Sequence, residues 1–140
     1  MKRFSVTVGL LAFLGLACEP APPIKTGTGE RIGGVSYEER FPLSNDGHST
    51  TLRGDKLRRA VEMMDQAGLI SMTGHYEGKG VVDKSTLILT VTTFDNRERT
   101  LTVKNCAEPH LCVFFAEAVR RGIVEREPVV CRDAVACVMK

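Results

Sequence analysis

Four of the five cysteines lie close together near the C-terminal end of the sequence, where they can cross-link the chain. They are Cys106, Cys112, Cys131 and Cys137. An even set of cysteines in a small exported domain is typical of a disulfide framework. We therefore expect two disulfides that staple the C-terminal tail to the rest of the domain.

The spacing leaves three disulfide pairings open. In the loop-entropy treatment, closing about seven residues constrains the unfolded chain by about 2.4 kcal/mol, and closing about thirty gives about 3.7 kcal/mol. This difference favours pairing Cys106 or Cys112 with Cys131 or Cys137. The local pairs need less rearrangement of the chain and remain the alternative.

A zinc site or a thiol enzyme is the competing interpretation of the same region. Cys106, His110 and Cys112, with Cys131 or Cys137, supply the ligand types that zinc prefers. One of these thiols beside His110 can also serve as a nucleophile if its pKa is lowered. The spacing is not that of a standard zinc finger, and the sequence contains no standard catalytic motif. We predict no metal, no cofactor and no enzymatic activity.

The first residues of the chain have the composition of a secretory leader. A positive start at residues 1–3 precedes a mostly apolar run at residues 4–17. That run is too short to span a membrane readily as a helix. Gly15 and Ala17 are the small residues that a signal peptidase requires. Residues 1–17 are therefore predicted to be a signal peptide.

Leu14-Gly15-Leu16-Ala17-Cys18 resembles the signal of bacterial lipoproteins. The resemblance covers the leader only and implies that Cys18 becomes the lipidated N-terminus and anchors the protein to a membrane. Lipidation also explains the odd cysteine, which in a secreted protein needs a partner or a modification. The family's sorting rule implies, from Glu19, an outer-membrane location facing the periplasm or the cell surface. Cleavage after Ala17 with a free or intermolecular Cys18 is the alternative.

Charge counting excludes one class of partner. The full chain has 19 Lys and Arg against 17 Asp and Glu, and removing Lys2 and Arg3 with the leader leaves 17 of each. A neutral mature chain has no overall positive field to attract nucleic acid. We expect a protein partner in the cell envelope and no nucleic acid.

The secondary-structure elements are predicted from the periodicity of apolar residues and from the residues that typically form turns or begin and end helices. Residues 18–34 are rich in Pro and Gly and are interpreted as a tether to the α+β domain at residues 35–140. Residues 35–53 form a hairpin around the turn formers Asn45 and Asp46. A helix at 55–67 has Asp55 as its N-cap and Gly68 after its end.

The second half of the domain repeats this pattern. Residues 85–104 alternate aliphatic and Thr positions on both sides of a polar loop, which predicts a second hairpin. A second helix at 109–121 begins at Pro109 and stops at Gly122. The tail is either a short hairpin or a strand followed by a helical turn. The order hairpin, helix, hairpin, helix, Cys-rich tail is similar to that of small bacterial envelope lipoproteins.

Between the first helix and the second hairpin, residues 69–72 are predicted to be a short strand and residues 73–80 a glycine-rich loop. Loops carry function more often than cores do, so His75, Tyr76 and Lys79 are the candidate contact surface. The sequence as a whole favours a lipid-anchored, non-enzymatic protein-binding or assembly module. An inhibitor of a secreted hydrolase, or a metal-binding or thiol enzyme using the Cys106–Cys112 region, is the alternative.

Overall fold

The structure, a computed structural model, describes residues 23–41, 47–79, 85–132 and 135–140. Within these residues the chain forms seven strands in one mixed sheet and two helices. The predicted signal peptide, the predicted lipidation site Cys18 and the predicted turn formers Asn45 and Asp46 lie outside the described residues.

The elements in chain order are β1 (Ile24–Lys25), β2 (Arg31–Arg40), β3 (Gly47–Leu52), α1 (Gly54–Gln66), β4 (Gly74–Gly78), β5 (Thr86–Thr93), β6 (Glu98–Lys104), α2 (Pro109–Arg120), a 3₁₀ turn (Val129–Arg132) and β7 (Cys137–Met139). All described strands belong to a single sheet, in which β1 and β3 both pair with β2 and the order continues β2-β5-β6-β4-β7. The β4–β6 pair is parallel and every other pair among the described strands is antiparallel.

The second hairpin, predicted at residues 85–104, is confirmed as β5 and β6. Leu89 pairs with Leu101, and both are buried together with the neighbouring inward positions Leu87, Val91 and Val103. Because side chains alternate between the faces of a strand, the threonines of the hairpin lie on the opposite face. The sheet therefore has one apolar face and one face rich in hydroxyl groups.

Both helices contribute their apolar sides to the same core. Val61 and Met64 of α1 and Phe114 and Phe115 of α2 are buried in it. The ring of Phe115 meets that of Tyr37 on β2 edge-on, with the ring centroids 5.0 Å apart. The predicted small domain with two helices is confirmed. The hairpin-helix-hairpin-helix order is too simple, because β1, β4 and β7 add three strands.

The helix ends agree with the sequence at three of four positions. Gly68 and Gly122 follow their helices with φ of 74° and 72°, the left-handed conformation that suits glycine. Pro109 begins α2, where Glu108 accepts a hydrogen bond from the Leu111 amide at 2.8 Å. The prediction of Asp55 as the N-cap of α1 is wrong, because the helix begins earlier, at Gly54, after Arg53.

Part of the segment predicted to be a tether belongs to the sheet. Ile24–Lys25 pairs with the start of β2, and a turn closed by the Thr26 amide donating to the Glu30 carbonyl joins the two strands. Asp65 of α1 accepts a hydrogen bond from the Gly27 amide at 2.8 Å. Residues 24–34, assigned to the tether for their glycines, therefore belong to the folded domain.

The segment interpreted as a glycine-rich loop is also in the sheet. Gly74–Gly78 is β4, which pairs with β6 on one side and with β7 on the other. The short strand predicted at residues 69–72 is wrong, because Leu69 and Ile70 lie in a turn after α1 and are buried there.

The C-terminal tail is held by two long-range disulfides, Cys106–Cys137 and Cys112–Cys131. The favoured long-range pairing, in which Cys106 and Cys112 each bond to Cys131 or Cys137, is thus confirmed. The first bond links the end of β6 to β7, and the second links α2 to the 3₁₀ turn. The tail has its helical turn before its strand, which is neither of the two arrangements predicted for it.

Candidate binding cleft

A carboxylate is buried at the end of the sheet where β2 and β3 meet. The inward positions of β2 carry Val35, Tyr37 and Glu39, and only 3% of Glu39 is exposed. Its Oε1 accepts a hydrogen bond of 2.9 Å from the amide of Val129, at the start of the 3₁₀ turn. Burying a carboxylate is costly unless it has partners, so this position needs positive groups nearby.

His48 and Arg126 supply the positive groups. His48 faces Glu39 across the β2–β3 pair, and its Nε2 lies 2.9 Å from Oε2 of Glu39. Arg126 reaches in from the segment after α2, with its Nη2 3.7 Å from the same oxygen and 2.8 Å from His48 Nε2. Both oxygens of Glu39 therefore have partners. The carboxylate holds three separate segments of the chain together.

The three side chains allow two hydrogen-bond arrangements. Nε2 of His48 carries either a proton or a lone pair. With the proton it donates to Glu39, and with the lone pair it accepts from Arg126.

An open cleft of about 400 Å³ lies beside this cluster. Its floor contains the buried side chains of Leu52, Ile123 and Val124, and its rim carries the exposed Arg53 and Lys56. Neither rim cation has a partner among the described residues. The remaining lining residues are Tyr37, Glu39, His48, Thr50, Thr51, Glu125 and Arg126.

Tyr37 is a hydrogen-bond donor in the wall of the cleft. Burial raises the pKa of its hydroxyl above the ordinary 10.0, and the nearby charge of Glu39 raises it further. A hydrogen bond with Thr50 and the charge of Arg126 lower the pKa of Tyr37 by less. The phenol is therefore protonated at neutral pH. The cleft combines cations, a neutral hydroxyl and an apolar floor, which suits binding of a ligand with a negative and an apolar part.

The predicted contact residues lie elsewhere and do not converge. His75 and Tyr76 are successive residues of β4, so His75 lies on the face of Thr102 and Tyr76 on the buried face of Val103. Lys79 is exposed just after the strand. Their role as a contact surface stays a prediction.

The cysteine region has no free thiol within the described residues, because all four cysteines there are oxidised in pairs. A disulfide sulfur is not the thiolate that zinc or a nucleophilic enzyme requires. His110 lies 2.9 Å from Glu108, which already caps α2. Within the described residues, no three His, Cys, Asp or Glu side chains are grouped to hold a metal ion.

The cleft residues were missed in the sequence because they are scattered along it. Glu39 interrupts the inward series of Val35, Tyr37 and Phe41, and a charge at an inward position of a strand needs buried partners. That interruption is the sequence feature that points to the site. It does not identify Arg126, which is 78 residues from His48 along the chain.

Neither described helix is both long and apolar enough to span a membrane. Comparisons of the chain with protein-family models, with curated proteins and with solved structures found no match.

Proposed function

We propose that this protein is exported, anchored to the cell envelope by lipid on Cys18, and acts as a non-enzymatic binding module whose recognition site is the cleft beside Glu39. The observation that carries the binding part is the pairing of that buried carboxylate with His48 and Arg126. The two disulfides support export, because such bonds persist in oxidising compartments.

Binding fits the cluster better than catalysis does. A general base needs an available lone pair within reach of a substrate proton. Here Nε2 of His48 lies between Glu39 and Arg126, and Nδ1 also lies 3.5 Å from Nη2 of Arg126. The cluster instead holds Arg126 and His48 in fixed positions beside an open cleft, which lowers the entropy lost when a ligand binds.

Intact mass of protein extracted from native membranes tests the anchor. The expected species begins at Cys18 and carries the added mass of its acyl chains. Its mass is also lowered by the hydrogens that are lost when two disulfides form. Replacing Cys18 with Ala removes the acyl mass and releases the protein from the membrane fraction. A chain that keeps residues 1–17 and remains in the cytosol contradicts export, lipidation and the expected location together.

Co-purification from detergent-treated envelopes tests the recognition site. The wild-type protein is expected to retain a reproducible partner that Arg126→Glu loses, because charge reversal beside Glu39 disrupts the cluster. Arg97→Glu is the matched control, since Arg97 lies on the β5–β6 loop and pairs with Asp95. Lys56→Glu, at an exposed rim position, repeats the test without touching the buried carboxylate. Equal recovery by all variants contradicts the cleft as the site.

A further inference from the structure

The strand that borders the cleft is an edge strand of the sheet formed by the described residues. β3 pairs with β2 from Val35 to Arg40, and no strand pairs with its other side in the described part of the chain. Proteins usually protect such edges with Pro, Lys or a covering loop. The sequence of β3, GHSTTL, contains neither Pro nor Lys. Among the described residues nothing pairs with its outer backbone groups, so another extended chain can bind to them.

An added strand has its side chains directed into the cleft at alternate positions. His48, Thr50 and Leu52 of β3 face the cleft, because they pair with Glu39, Tyr37 and Val35 on the inward side of β2. A neighbouring strand lies about 4.8 Å away and keeps the same alternation of faces. Every second side chain of a bound peptide then lies over the cleft, and the others lie on the hydroxyl-rich face of the sheet.

The charges that line the cleft determine which side chains of a bound peptide are favoured there. The rim cations Arg53 and Lys56 have no partner among the described residues, and of the lining residues that the structure describes only Glu125 is both acidic and exposed. A carboxylate from the partner can pair with them. Between them and the cluster lies the apolar floor of Leu52 and Val124, which accepts an aliphatic side chain.

We propose that β3 binds an extended acidic segment of a partner protein by strand addition, with its Asp or Glu side chains paired to Arg53 and Lys56 and an aliphatic side chain on the cleft floor. This inference rests on the proposed function and adds the chemistry of the partner. Main-chain hydrogen bonds to β3 supply affinity, and the cleft supplies specificity for alternate side chains.

Selection from a phage library of random peptides about seven residues long tests the proposal, with the full mature protein immobilised in detergent. The wild type is expected to enrich sequences in which Asp or Glu alternates with aliphatic residues. The Arg53→Glu/Lys56→Glu variant is expected to lose about tenfold in affinity for them and to enrich basic sequences instead. The charge-matched Arg97→Glu/Arg132→Glu variant, altered at exposed positions outside the cleft, is expected to select like the wild type.

Hydrogen exchange on the selected peptide's complex tests the strand geometry. The amides of Ser49 and Thr51 are expected to exchange more slowly when the peptide binds, and N-methylation of alternate peptide amides is expected to abolish binding. Unchanged exchange in β3, or enrichment that is neutral or independent of Arg53 and Lys56, overturns the proposal.

A vesicle experiment separates a peptide from a lipid headgroup as the partner of the cations. Binding of the non-lipidated Cys18→Ala protein to phosphatidylcholine vesicles containing phosphatidylglycerol, dependent on Arg53 and Lys56 and without peptide enrichment, overturns strand addition. If the envelope partner is still lost in Arg126→Glu while the library yields nothing, only the acidic-strand inference fails. If neither experiment depends on the cleft, the proposed recognition site fails as well.

Discussion

At the scale of single residues, Glu39 shows why the cleft was not predicted from the sequence. The alternation of side chains along β2 puts this carboxylate on the inward face, where it is buried. Its partners come from β3 and from the segment after α2, and Val129 is 90 residues away along the chain. Periodicity is a local property of the sequence, whereas this ion cluster forms only when distant segments pack together.

Glu39→Gln tests the stabilising role of that cluster. The amide keeps the shape and one acceptor but removes the charge that faces His48 and Arg126, so we expect the free energy of unfolding to fall by about 2 kcal/mol. Urea unfolding followed by circular dichroism measures the change. Glu38→Gln is the control on the same strand, because Glu38 is paired with Arg40 at the surface. A loss equal to that of the control means that the buried carboxylate contributes no more than a surface charge.

A second charged cluster predicts a measurable pH dependence. Hydrogen bonds from Arg120 first, and from Arg121 second, lower the pKa of Glu117 from 4.5 to about 2. Because the folded pKa is the lower one, the stability from this group is present above pH 4.5 and is lost as the pH falls from about 4.5 to about 2.

NMR titration of the Glu117 carboxyl group measures this directly. We expect Arg120→Ala to raise the Glu117 pKa more than Arg121→Ala, since Arg120 bonds both carboxylate oxygens and Arg121 bonds one. In Glu117→Gln the corresponding part of the acid destabilisation is expected to disappear. Titration of wild-type Glu117 near pH 4.5 rules out the pairing.

At the scale of secondary structure, locally encoded elements were predicted and β4 was not. The hairpin of β5 and β6 has alternating aliphatic residues and a short polar loop, so its own sequence specifies it. The β4 sequence GHYEG has two glycines and little strand propensity. It is a strand because β6 and β7 pair with it on both sides, and Cys106–Cys137 holds β7 there.

Gly78 shows how closely β4 fits its surroundings. A Cβ at this position would overlap the carbonyl oxygen of Asn105 and lie 3.1 Å from its carbonyl carbon. Backbone atoms cannot move aside as a flexible side chain can. We therefore expect Gly78→Ala to lower the free energy of unfolding by about 2 to 3 kcal/mol.

Gly34→Ala is the matched control, since a Cβ there meets only the Thr92 side chain at an ordinary 3.7 Å. Its stability in the same urea experiment is expected to be at or slightly above that of the wild type. Equal stability of the two alanine variants would show that β4 and the loop after β6 are not in close contact.

At the scale of the whole molecule, the folded domain begins at Ile24 and not at Val35 as predicted. This shortens the chain between the domain and its proposed lipid anchor. The Pro and Gly composition of residues 18–34 predicted a long tether, but the glycines at residues 27–34 serve a turn and the beginning of β2. Six Cα steps separate Cys18 from Ile24, which span at most about 20 Å. A domain lipidated at Cys18 is therefore held close to the membrane surface.

Limited proteolysis distinguishes the short tether from the long one. Residues 19–23 contain no Lys or Arg, so the first trypsin sites after Cys18 follow Lys25 and Arg31. Both residues are in paired strands, and a strand must open before a protease can bind it. We expect both bonds to survive native digestion, as read by mass spectrometry of the N-terminal fragment.

Insertion of Gly-Lys-Gly between Ala21 and Pro22 provides the control that trypsin does cut. Rapid cleavage after Lys25 and Arg31 in the protein without the insertion would mean that these residues are part of a flexible tether. The domain would then lie farther from the membrane.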